Sequence, residues 1–162
     1  MKMSQSDPSR QLLRHAVATL AYRGGKTVRG APDSFSDFQA SPETRTPGQI
    51  LAHIGDLLEW ALSAARGQQQ WHESAQLPWP EEVNRFFAAL EAFDAYLASE
   101  DPLQAPAEKL LQAPIADALT HVGQIAILRR LAGLPIRAEN YYVAKIAAGC
   151  VGAEQPAPVR EF

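Results

Sequence analysis

Asp117 and His121 stand four apart inside PIADALTHVGQIAILRRLAG, Pro114 to Gly133. On a helix that spacing stacks the two side chains one turn apart on the same face. A carboxylate and an imidazole so placed can fill two adjacent coordination positions of one metal ion. Their neighbours on that side, Ile115, Leu119, Val122 and Ile125, are apolar, and a polar pair in an apolar wall must be paired, hydrated or bound to something. A third donor lies on another stretch: His53 falls within the apolar pattern of Ile50, Ile54, Leu57, Leu58 and Ala61. Two histidines and one carboxylate, with positions left open, suit a catalytic zinc and match the facial triad of non-haem iron; nickel and manganese also take such donors. The plainer alternative is a structural bundle in which the three form a buried His-Asp-His hydrogen-bond network, because D-x-x-x-H plus a distant histidine is a common chance pattern. A third alternative is a non-catalytic module that binds a metal or small ligand. Asp56 and Glu59 can orient a ligand ring from behind; solvated surface charges are their ordinary role. Gln124, Trp60, Tyr22 and Tyr141 are candidates for the walls of such a site.

Helices must carry these donors, and the periodicity supplies four. The first is expected from about Ser9 to Arg23, with Leu12, Leu13, Ala16, Val17 and Leu20 as its apolar stripe. Ser6, Asp7 or Ser9 can cap it, Pro8 suits its start, and Gly24-Gly25 is expected to stop it. His15, beside the stripe, reads as a surface or half-buried residue. Lys26 to Arg45 forms a long first crossover loop, which Phe35 and Phe38 would pin to the bundle. Thr46 and Gln49 have capping-box spacing and Pro47 takes the first helical position of the second helix, which fades near Arg66-Gly67. Gln68 to Trp79 is a polar connection in which His72 reads as exposed. The third helix starts at Pro80 and carries Val83, Phe86, Phe87, Leu90, Phe93 and Leu97 on one face. Ala107 to Leu111 makes a short helical turn. The fourth helix opens with Pro114 as its first residue and closes at Gly133, with Arg129 and Arg130 in its last turn and Pro135 beyond. In the irregular C-terminal tail, Asn140 to Ile146 is expected to form a short helix, with Tyr141 and Tyr142 against the bundle.

A length of 162 residues suits one domain with a normal core. A net charge of -3 argues against a nucleic-acid partner gripped through its phosphates. No apolar run is long enough for a membrane span, the N-terminal stretch lacks a signal-like hydrophobic segment, and the single cysteine, Cys150, makes no internal disulfide. A cytoplasmic protein is the simplest account.

Two segments, TPGQILAHIGDLLEWAL (Thr46 to Leu62) and THVGQIAILRRLAGLP (Thr120 to Pro135), resemble the DinB-like (DinB/YfiT) superfamily of small bacterial four-helix bundles. The second is similar to that family's H-x-G-Q-x-x-x-L-R helix. The resemblance implies an all-α four-helix bundle of the DinB/YfiT type over nearly the whole chain, with metal ligands at His53 and His121. Where the family commonly has a further histidine, this chain has Asp117, a carboxylate that can still coordinate. The resemblance also implies a divalent metal ion, zinc or nickel foremost with iron or manganese as alternatives, and a homodimer, for which the aromatic third helix is a candidate surface. By the same likeness the activity would be that of a metal-dependent thiol S-transferase or a hydrolase, acting with a low-molecular-weight thiol such as bacillithiol or mycothiol, or with another small molecule.

Overall fold

Apolar residues at spacings of three and four do build four long helices. The computed structural model describes residues 7–162, and over these the fold is all-helical. Helices α1 (Pro8–Val28), α2 (Pro47–Ala65) and α3 (Trp79–Ala98) are followed by a short α4 (Ala107–Leu110), a π-helical turn (Leu111–Ile115) and α5 (Ala116–Leu131). Leu20 of α1, Ile54 and Leu58 of α2, Phe86 and Phe93 of α3 and Ile125 of α5 meet in one buried core. No helix among the described residues is long and apolar enough to cross a membrane.

Helix α1 is capped by Asp7, whose Oδ1 accepts from the Ser9 amide at 2.9 Å; Ser6, the other candidate, lies outside the described residues. The helix does not stop at Gly24-Gly25 but runs on to Val28. The reason is packing. A Cβ built on Gly24 would stand 2.5 Å from Phe86 Cζ, so the glycine lets α1 lie close against an aromatic ring of α3. The loop beyond is pinned as expected: Phe35, in a 3-10 turn (Asp33–Asp37), is buried and meets Trp79 edge-on with ring centroids 5.6 Å apart.

Helix α2 opens with the anticipated reciprocal cap. The Thr46 amide donates to Gln49 Oε1 at 2.9 Å, and the Gln49 amide donates to Thr46 Oγ1 at 3.3 Å. This fixes the start of the helix that carries His53. Pro114, by contrast, is not a first helical residue. It lies inside the π turn, where the wider backbone accommodates a residue with no amide hydrogen to donate, so that α4, the turn and α5 run on without a break. The far end is a Schellman closure: Gly133 has φ 74°, its amide donates to the Arg130 carbonyl at 3.2 Å, and the Leu134 amide donates to the Arg129 carbonyl at 2.8 Å.

The phenylalanines of α3 face inward. Phe86, Phe87 and Phe93 are all buried against the other helices and belong to this chain's own core. The short helix expected over Asn140 to Ile146 shrinks to a 3-10 turn (Tyr141–Val143). Tyr141 packs edge-on against Tyr22 at 6.3 Å, but Tyr142 is 97 % exposed and touches no core residue. The tail itself is held against α1. An isolated antiparallel bridge joins Glu139 to Glu161. Lys26 Nζ reaches both carboxylates, at 2.8 and 3.0 Å, and Tyr22 donates its hydroxyl to Glu139 at 2.5 Å.

Candidate metal centre

Helices α2 and α5 lie side by side and bring His53 against the Asp117–His121 pair. One donor atom from each of the three lies within 4.8 Å of the others. His121 Nε2 is 3.4 Å from Asp117 Oδ1, and His53 Nε2 is 3.8 Å from Asp117 Oδ2. The two imidazoles meet edge-to-face, with centroids 4.8 Å apart. Around a four-coordinate ion with bonds of about 2.0–2.2 Å, ligand atoms stand roughly 3.3–3.6 Å apart. Small rotations of these side chains therefore suffice to grip one cation.

The protons point the same way. Gln124 lies one turn beyond His121 and presents its amide oxygen to His121 Nδ1 at 2.7 Å. In the tautomer whose Nδ1 donates to that oxygen, the lone pair of Nε2 faces the Asp117 carboxylate. Burial, with His121 and Arg45 nearby, holds His53 below the usual imidazole range, so its neutral form is favoured. A carboxylate and two imidazoles thus converge from two helices, and a cation can be shared among them. The donor set fits a divalent ion of the zinc or nickel type.

The cluster sits at the edge of the bundle. Side-chain exposure is 22 % at His53, 13 % at His121 and 47 % at Asp117. The wall expected to surround the pair is apolar where it faces the core, at Ile115, Val122 and Ile125, but Asp117 looks outward. The three are thus not the buried His-Asp-His network of the structural alternative. Each donor borders a different cleft. His121 rims an apolar one of about 560 Å³, His53 a polar one of about 350 Å³, and Asp117 a third of about 360 Å³ beside Trp60.

Of the four proposed wall residues, Gln124 and Trp60 are at the site. Tyr22 and Tyr141 belong to the tail clamp. Two residues that periodicity did not mark also belong here. Trp71 packs edge-on against His53 at 5.7 Å and against Trp60 at 5.9 Å, so the polar connection folds back as a lid over the donors. Arg45, at the end of the first crossover, borders the clefts at both His53 and His121.

Asp56 and Glu59 neither orient His53 nor stand free in solvent. Asp56 is buried and accepts from Arg85 at 2.5 Å and from the Ser74 amide at 3.0 Å. Glu59 accepts from Arg85 Nε at 3.0 Å and faces His72 Nε2 at 2.8 Å. Burial raises the Asp56 carboxyl, but the hydrogen bonds from Arg85 and Ser74 outweigh it and hold the group below its usual range. Asp56, Glu59 and His72 also bring donor atoms within 4.8 Å. There, however, the Arg85 guanidinium already serves as the cation, and the cluster ties the 68–78 connection to α2 and α3. His72, exposed as expected, is thus also a partner in this knot. No protein-family model, curated protein or solved structure matches the chain.

Proposed function

We propose that this chain is a metal-dependent protein built on a DinB-type four-helix bundle, in which His53, Asp117 and His121 hold a divalent cation, zinc or nickel in preference to iron or manganese. Its activity is that of a thiol S-transferase or hydrolase acting on a small molecule. The observation that carries this reading is the convergence of two imidazoles and a carboxylate from two helices, with Gln124 placed to hold the His121 proton on the far nitrogen. A divalent cation at such a site lowers the pKa of a thiol or a water molecule and so supplies a nucleophile at neutral pH. The chain's own residues do the rest. Asp117 contributes the one negative charge, Trp71 and Trp60 keep water from one side of His53, and the exposed side of Asp117 leaves room for a substrate.

The test is metal analysis of protein purified without a nickel column. About one equivalent of divalent metal is expected, and His53→Ala or His121→Ala should abolish it. Unchanged metal content in both variants defeats the proposal. A screen of small thiols against electrophiles then separates an enzyme from a binding module: a metal-dependent product marks the enzyme, and metal without turnover marks the module.

A further inference from the structure

Successive turns of α5 carry the chain from metal donors to an apolar cleft. His121 and Gln124 are followed at helical spacing by Ile127, Leu128 and Leu131, and these face Ile50 of α2 across a cleft of about 560 Å³. That volume falls in the range of roughly 300–1,000 Å³ usual for small-molecule sites. Ile127 and Leu131 are 61 % and 60 % exposed, a large apolar surface to leave in water beside polar donors. Among the described residues, the only charged side chain lining the cleft is Arg45. It is exposed, and it forms no ion pair among the described residues.

An apolar trough with a guanidinium at its rim suits a ligand with an apolar body and an anionic end. We infer that the cleft between α5 and the end of the first crossover binds an amphipathic carboxylate, its hydrocarbon or aromatic body against Ile127, Leu128, Leu131 and Ile50 and its carboxylate on Arg45. A guanidinium pairs with a carboxylate through two parallel hydrogen bonds, and this single positive charge matches a monoanion. Because His121 borders the same cleft, the part of the ligand nearest Arg45 lies beside the metal donors. That this ligand is the substrate rests on the metal reading above; that it binds does not.

The experiment is calorimetric titration of EDTA-treated and zinc-reconstituted protein with hexanoate, octanoate, neutral octanamide and octyl phosphate. Octanoate is expected to bind roughly tenfold more tightly than hexanoate, from two additional buried methylenes. It should also bind more tightly than octanamide or octyl phosphate. Arg45→Gln should bring octanoate down to the level of octanamide, and Ile127→Gln should remove the gain from chain length. Both positions are exposed, so circular dichroism should show the helices unchanged. Failure of octanoate to bind, binding indifferent to both substitutions, or tighter binding of octyl phosphate each overturns the inference. Arg45-dependent octanoate binding by protein that takes up no zinc on reconstitution upholds the cleft and sinks the metal reading. Metal binding without octanoate binding does the reverse.

Discussion

Gln124 is placed to select the tautomer of His121. Its amide oxygen lies 2.7 Å from Nδ1, where a proton held on that nitrogen would leave Nε2 to the proposed ion. Gln124→Ala removes that restraint without disturbing the core, since the side chain borders the solvent cleft. Metal affinity is expected to fall by roughly ten- to a hundredfold, read by competition with a chromophoric chelator, while the melting temperature of the metal-free protein stays the same. An unchanged affinity would mean that the hydrogen bond plays no part in holding the ion. The three donors could be found in the sequence because two of them share one helical face and the third sits within a strong apolar repeat. Trp71 and Arg45 could not. Both come from connections without periodicity, and their positions depend on contacts with distant residues, such as the edge-on meeting of Trp71 with His53.

Where each helix begins and ends depends on signals of unequal clarity. The Thr46–Gln49 box is local: donor and acceptor are three residues apart, so pattern and outcome coincide. Gly24-Gly25 and Pro114 mislead for a common reason, which is that a local breaker is overruled by its tertiary setting. Gly24 leaves the space that Phe86 occupies, and Pro114 is accommodated in a π turn, whose wider backbone fits a residue without an amide hydrogen. Gly24→Ala therefore sets a helix-propensity gain of about 1 kcal/mol against an overpacking cost of about 1–3 kcal/mol. Phe86 is fully enclosed and cannot swing aside, so a net loss of about 1 kcal/mol is expected by urea unfolding; a rise in stability would show that the ring gives way. Glu82, in the first turn of α3, reads as a routine helix-start acid. Instead it is fully buried, with Oε1 accepting from the Leu77 amide at 2.8 Å and Oε2 without a hydrogen bond, 3.8 Å from Arg85. Burial pushes its pKa above the usual 4.5. The unfolded chain thus loses this proton first, and the stability Glu82 contributes when protonated is full below pH 4.5 and is lost as pH rises from there through the folded-state value. Glu82→Gln cannot ionise. Its stability relative to the parent should accordingly climb across that window, followed by urea midpoints at stepped pH; a flat difference would place the charge elsewhere.

One tie holds the assembly across its length, and the proposed cation would add a second. A cation between α2 and α5 would join helices far apart in sequence, and the tail clamp fastens residues 139–162 to α1. The clamp is an ionic knot in which one lysine meets two carboxylates, and the more buried of these, Glu139, also takes the Tyr22 hydroxyl. Burial opposes the charge on Lys26, but the hydrogen bonds to Glu139 and Glu161 outweigh it and raise its pKa. Burial and Glu139 likewise hold the Tyr22 phenol protonated far above its usual range. Removing the central acid leaves a mostly buried ammonium with only Glu161, at 3.0 Å, as partner. Loss of one member of a buried pair costs about 3–5 kcal/mol, and the remaining carboxylate should reduce this to about 2–3 kcal/mol for Glu139→Ala. Tyr22→Phe, which removes one hydrogen bond but no charge, should cost about 1–2 kcal/mol. Urea unfolding of both variants measures the two losses, and brief proteolysis should cut Glu139→Ala first in the tail, beyond Pro135, leaving the helices intact. The clamp shares no contact with His53, Asp117 or His121, so metal content should be unaltered. A tail that resists protease in Glu139→Ala, with stability lost all the same, would show that Val151 and the apolar contacts around it secure the segment and that the ionic knot steadies α1 alone.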